Sequence, residues 1–147
     1  MSVQRIIFAI VAVALALSQV ELDLPPLDAG KTTASVTGSS LIEQAFTNQQ
    51  SDVQVEGSGT VTKLLADDLK GSRHQRFIIT LASNRTLLIA HNIDLAPRID
   101  ALAVGDTVYF YGEYEWNQRG GVLHWTHHDP RGHHVDGWLR HHNRVYQ

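Results

Sequence analysis

From Val53 to His127 the chain runs in short stretches of alternating apolar and polar residues, broken by clusters of Gly, Asn, Asp and Ser. That period of two puts alternate side chains on opposite faces of a strand, so the pattern dictates half-buried β-strands. Val53 to Leu65 is the first, and Gly57 and Gly59 within it predict a long, sharply bent strand. Gln75 to Leu81 and Thr86 to His91 follow, separated by the hairpin loop Ala82 to Arg85. Asp94 to Val104, with Pro97, is the place for one or two helical turns. Thr107 to Trp116 is an aromatic-rich fourth strand, and Val122 to His127 a fifth after the turn Asn117 to Gly121.

Five strands with a bent first member and a short helix between the third and fourth define an all-β, OB-like five-stranded barrel. An SH3-like barrel or a small sandwich is the alternative. Closing a barrel removes sheet edges, which suits a chain of 147 residues with no cysteine and therefore no disulfide. The missing thiols also exclude thiolate zinc sites and cysteine nucleophiles. Any metal must be held by His, Asp and Glu.

Ahead of the barrel lie two segments of different composition. Residues 1–18 hold one charge, Arg5, followed by the apolar run Ile6 to Leu17. This reads as a secretory signal peptide, with Ala16 and Ser18 before a cleavage point at Gln19. The run is short for a membrane span, so a periplasmic or secreted protein without a stable span after signal removal is expected, with an uncleaved N-terminal anchor as the alternative. Residues 19–52 read as a polar linker, with Pro25-Pro26 and the Thr/Ser/Gly-rich stretch Gly30 to Ser40. One short helix fits inside it, capped by Ser40 with Glu43 as reciprocal partner and an apolar stripe of Leu41, Ile42, Ala45 and Phe46. Residues 53–147 form the barrel domain with a His-rich end.

Seven of the nine histidines lie in the last 24 residues. The run His124-Trp-Thr-His127-His128-Asp129-Pro-Arg-Gly-His133-His134 places imidazoles and a carboxylate within reach of one another across a turn. His124, His128, Asp129, His133 and His134 are therefore the candidate ligands of a divalent ion, with zinc the expected metal. A solvated His-rich tail is the plain alternative.

The hairpin about Asn84 brings Arg73-His74-Gln75-Arg76 and His91-Asn92 to one end. His74 and His91 are the acid–base candidates. Arg73, Arg76, Asn92 and Trp116 are candidates for holding an anionic substrate. Together these predict metal-assisted hydrolysis of phosphodiesters, against a non-catalytic module for metal, nucleic acid or an envelope partner. Glu113 and Glu115, set among the fourth strand's aromatics, would repel phosphate and argue against sequence-neutral nucleic-acid binding at neutral pH. Residues 53–147 carry ten basic and ten acidic groups, so protonating nine histidines takes the segment from 0 to +9. Binding of an anionic ligand or nucleic acid is expected to strengthen at acidic pH.

The strings Gly71-Ser-Arg-His-Gln-Arg-Phe77, Ala90-His-Asn-Ile-Asp-Leu-Ala-Pro-Arg98, Tyr111-Gly-Glu-Tyr-Glu-Trp116 and His124-Trp-Thr-His-His-Asp-Pro130, with the closing Gly137-Trp138, also carry a resemblance. They resemble a family of small exported bacterial proteins known only as a domain of unknown function. The resemblance implies export and a single domain, and implies no activity.

Overall fold

The structure, a computed structural model, describes residues 29–147, with side chains from Gly38 onward. The signal-peptide reading of residues 1–18 lies outside the described residues. One helix precedes seven strands: α1 (Ala29–Thr47), β1 (Val53–Leu64), β2 (His74–Thr80), β3 (Thr86–Asn92), β4 (Thr107–Glu115), β5 (Val122–His124), β6 (Trp138–His141) and β7 (Arg144–Tyr146).

The first five strands close on themselves in the ring order β1-β2-β3-β5-β4, with β4 returning to β1. All pairs are antiparallel except β3 with β5. This is the expected OB-like barrel. Closure depends on the bend in β1, which pairs with β4 from Val53 to Thr60 and with β2 from Thr60 to Leu64. Gly59 sits at that handover, where a Cβ would meet Ile79 Cδ1 at 2.9 Å. Inward residues alternate with outward ones along each strand, and Val55, Val61, Phe77, Ile79, Leu87, Ile89, Val108, Phe110, Tyr114 and Leu123 fill the interior.

The helix lies before β1 and not between β3 and β4. It is longer than the stretch the sequence suggested, and Ser40 lies inside it instead of capping it. α1 closes one mouth of the barrel with Ile42 and Ala45. Glu43 does not serve the helix's own cap: it takes Arg85 in a two-pronged contact (2.6 and 2.7 Å) and Ser83 at 2.9 Å, fastening α1 to the β2–β3 turn. Trp116 Nε1 donates to the Phe46 carbonyl from the end of β4.

Residues 93–106, expected to hold a helix, run instead through turns. The barrel's side chains supply the backbone partners a helix would have supplied. Gln75 reaches across the other mouth to clamp Ile99, donating to its carbonyl and accepting from its N–H, both at 2.9 Å. His91 donates to the Pro97 carbonyl.

The fifth strand also departs from expectation, because it is split. β5 pairs with Glu113–Glu115 of β4, and β6 pairs with Tyr109–Tyr111 along the same edge. Residues 125–137 form an excursion inserted between the two halves, opposite Gly112. Trp125 takes a left-handed backbone (φ 53°), which ends β5 at His124 and breaks the alternation predicted through His127. Thr126 therefore turns into the barrel and Trp125 does not. A Cβ on Gly112 would lie 2.6 Å from the His124 carbonyl oxygen and 2.9 Å from Thr126 Cγ2, so only glycine leaves room for the excursion. β6 turns back into β7, which pairs with it as a closing hairpin.

Candidate metal centres

Period-two geometry puts Tyr109, Tyr111, Glu113 and Glu115 on the outer face of β4. Register places His124 directly across from Glu113. His124 Nε2 lies 3.3 Å from Glu113 Oε1 and 3.5 Å from Glu115 Oε1. It is buried and aligned for a hydrogen bond with neither. Two donors each about 2.0–2.1 Å from a tetrahedral zinc stand roughly 3.3–3.4 Å apart. Glu113, Glu115 and His124 thus stand at the spacing of ligands around one ion, all three donor atoms within 4.8 Å of one another.

His134 completes this arrangement from the excursion. Its Nε2 donates to Glu113 Oε2 at 2.7 Å and its Nδ1 to the Val135 carbonyl at 2.8 Å. Both ring nitrogens face acceptors, which favours the protonated ring. Burial opposes that charge, but the Glu113 hydrogen bond and the charges of Glu113 and Asp129 outweigh it, and the pKa is raised. The ring stacks on Trp125 at 4.0 Å and 6°. With both nitrogens engaged, His134 meets the cluster through Glu113. It holds one carboxylate oxygen of Glu113 and leaves the other to face His124 and Glu115.

Asp129, expected on the ion, faces the excursion's own backbone. Its carboxylate accepts the N–H groups of Arg131 (3.0 Å), His133 (2.7 Å) and His134 (2.9 Å). The Arg131 N–H first, then those of His133 and His134, hold its pKa down to about 2. Asp129 therefore shapes the loop that delivers His134. His128 donates from Nδ1 to Asp136 at 2.6 Å on the exposed side of that loop, and the His133 ring is exposed. Of the five expected ligands, His124 stands in the cluster and His134 touches it through Glu113. His128, Asp129 and His133 stand outside it.

A second cluster joins Asp106, just before β4, to the end of β6. His141, its side chain 1% exposed, donates from Nε2 to Asp106 Oδ2 at 2.7 Å. His142 Nε2 stands 3.9 Å from Asp106 Oδ1. Neither histidine was assigned from the sequence, because their strand is short and lies past the excursion.

The acid–base candidates sit at the same end of the barrel on opposite faces. Pairing sets His74 opposite Asn92, on the outside, and His91 opposite Gln75, on the inside. His91 is fully buried: Nε2–H donates to the Pro97 carbonyl (3.2 Å) and Nδ1 accepts from the Thr126 hydroxyl (2.8 Å). Desolvation lowers its pKa to about 4. His74 donates from Nδ1 to the Ser72 carbonyl. The proposed substrate contacts are likewise engaged within the chain. Arg73 pairs with Asp94 (2.6 Å), Arg76 donates to the Ala66 carbonyl, Asn92 caps the turn at Asp94, and Trp116 docks the helix.

Fold and clusters together define a small OB-like barrel with candidate divalent-metal ligands along its fourth strand. The chain belongs to the family described as Protein of unknown function (DUF3465), which matches residues 27–147. No curated protein matches it. Among the described residues, no helix is long and apolar enough to cross a membrane.

Proposed function

We propose that this protein is an exported metal-binding barrel, holding one divalent ion, zinc by preference, on Glu113, Glu115 and His124. The observation that carries the reading is the placement of His124 Nε2. It is buried, without a hydrogen bond, and at ligand spacing from two carboxylate oxygens. Two like charges brought together on neighbouring outward positions are costly unless a cation joins them. His134 supplies part of that compensation, and an ion supplies the rest.

Two carboxylates cancel the charge of a divalent ion, so the loaded centre has little attraction for a phosphodiester anion. This favours the non-catalytic module. Hydrolysis is the second reading, and one observation favours it: three donors leave a zinc-type ion a fourth position for water. Isothermal titration of Zn²⁺ into the mature protein tests the binding reading. The double variant Glu115→Gln/His124→Ala is expected to lose the ion that wild type takes. Equal binding by the two proteins would sink it. Turnover of bis-p-nitrophenyl phosphate by the metal-loaded protein, absent from that variant, would move the assignment to the hydrolase. Export has its own test: the N-terminus of protein recovered outside the cytoplasm is expected at Gln19.

A further inference from the structure

The β6–β7 hairpin turns through two residues, His142 (φ 45°) and Asn143 (φ 64°). Positive φ at both positions is a type I′ turn, which favours Asn or Gly over histidine at its first place. His142 sits there nonetheless. Its ring stacks on His141 at 3.8 Å and presents Nε2 to Asp106. Asp106 is fixed from behind, since its Oδ2 accepts the Ala103 N–H at 2.8 Å as well as the His141 ring. Its Oδ1 faces His142.

Beside this cluster opens a cavity of about 470 Å³, lined by Asp106, His142, Tyr109 and Arg140 among others. Arg140 lies over the Tyr109 ring at 4.3 Å, and its Nε is buried with no hydrogen-bond partner among the described residues. The Arg140 side chain itself lines the cavity, and a guanidinium is suited to an oxyanion.

We propose that Asp106, His141 and His142 form a second divalent-metal site, independent of the Glu113 centre. Its open coordination position faces the cavity, where an oxyanion of the phosphate class bridges the ion and Arg140. Two imidazoles and one carboxylate suit a zinc-type ion and leave a position for an added ligand. Binding displaces the proton that His141 Nε2 now shares with Asp106, and His142, 70% exposed, moves in by a side-chain adjustment. This ion carries one carboxylate where the other carries two, so its net charge is positive and it attracts anions.

The experiment is zinc titration by calorimetry on four proteins: wild type, Glu115→Gln/His124→Ala, His142→Asn, and the three changes combined. His142→Asn puts a favoured residue into the turn, so its metal-free melting temperature is expected to equal or exceed that of wild type. The expected stoichiometry is two ions for wild type, one for each partial variant and none for the combination. If His142→Asn binds zinc as wild type does, the second site is refuted, and loss of an ion in Glu115→Gln/His124→Ala would leave the first reading standing. If the only ion bound is lost in His142→Asn and kept in Glu115→Gln/His124→Ala, the second site stands and the first reading falls. Inorganic phosphate titrated into zinc-loaded Glu115→Gln/His124→Ala protein tests the anion. Binding is expected only with zinc present, weakened about tenfold by Arg140→Gln. Zinc-independent or absent phosphate binding would overturn the bridging anion.

Discussion

His91 is neutral in the fold at a pH where an ordinary imidazole is charged. Its pKa of about 4 lies below the unfolded value near 6.5, with desolvation as the main cause. The unfolded chain therefore takes up a proton between those two values that the folded chain refuses. Stability from this group is fully present above pH 6.5 and is lost as pH falls toward 4, a change on the order of 3 kcal/mol. Urea unfolding at pH 7 and pH 4.5 should show a drop in wild type that is much reduced in His91→Gln, whose amide can still donate to Pro97 and accept from Thr126. An equal drop in both would assign the acid sensitivity elsewhere. Asp129 acts in the same direction at lower pH, because its carboxylate is held near 2 by three N–H donors. The loop geometry that places His134 on Glu113 should loosen below about pH 4, visible as loss of protection of the 131–134 amides. At this scale the sequence shows which side chains can carry the chemistry but not which of them meet. His124 is a candidate from the His-rich run and from alternation along the fifth strand. In the sequence Glu113 and Glu115 read only as charges that repel phosphate, because the register that sets His124 opposite them is a tertiary fact. Asp129 carries the same carboxylate whether it binds metal or backbone, and only the course of residues 131–134 decides.

At the scale of elements, glycines decide what can pack. Gly38 lies mid-helix, where alanine would be preferred by about 1 kcal/mol on propensity alone. Yet a Cβ there would fall 1.5 Å from the Glu56 carbonyl oxygen, inside the β1 backbone. Gly38→Ala should therefore destabilise the protein, by about 1–3 kcal/mol once α1 shifts away, and thermal unfolding followed by circular dichroism would measure it. A neutral or stabilising result would show that α1 does not sit that close to β1. Gly112→Ala should cost a similar amount by pressing on His124 and Thr126, and on the proposed assignment should also weaken zinc binding, since it displaces the His124 backbone. Strands β2, β3 and β4 were legible to within a residue or two because each has a full run of alternation. β6 and β7 were not, being three or four residues long and cut off from β5 by the excursion. The Thr/Ser/Gly-rich start of α1 reads as a loop by propensity. From Gly38 onward, packing on β1 and the Glu43–Arg85 clamp override that preference.

At the scale of the whole molecule, ligand binding and stability are one equilibrium. Zinc at a hundred times its dissociation constant should add about 2.7 kcal/mol per site to the folded state, raising the melting temperature. The rise should be about halved in either partial variant and absent from the combined one, by scanning calorimetry. β4 has a further consequence of a different kind. Asp106 precedes its first residue, and Glu113 and Glu115 lie at its far end, so one hydrogen-bonded strand joins the two clusters. A strand advances about 3.3 Å per residue, which sets the clusters roughly 20–30 Å apart. That is far beyond the about 3.5–4 Å of a binuclear centre, so no single small ligand would span ions bound at both clusters. The strand instead works as a ruler inside the barrel. Loaded with two Cu²⁺ ions, the protein should give a single narrow dipolar distance in pulsed electron paramagnetic resonance, unchanged by whatever either ion binds.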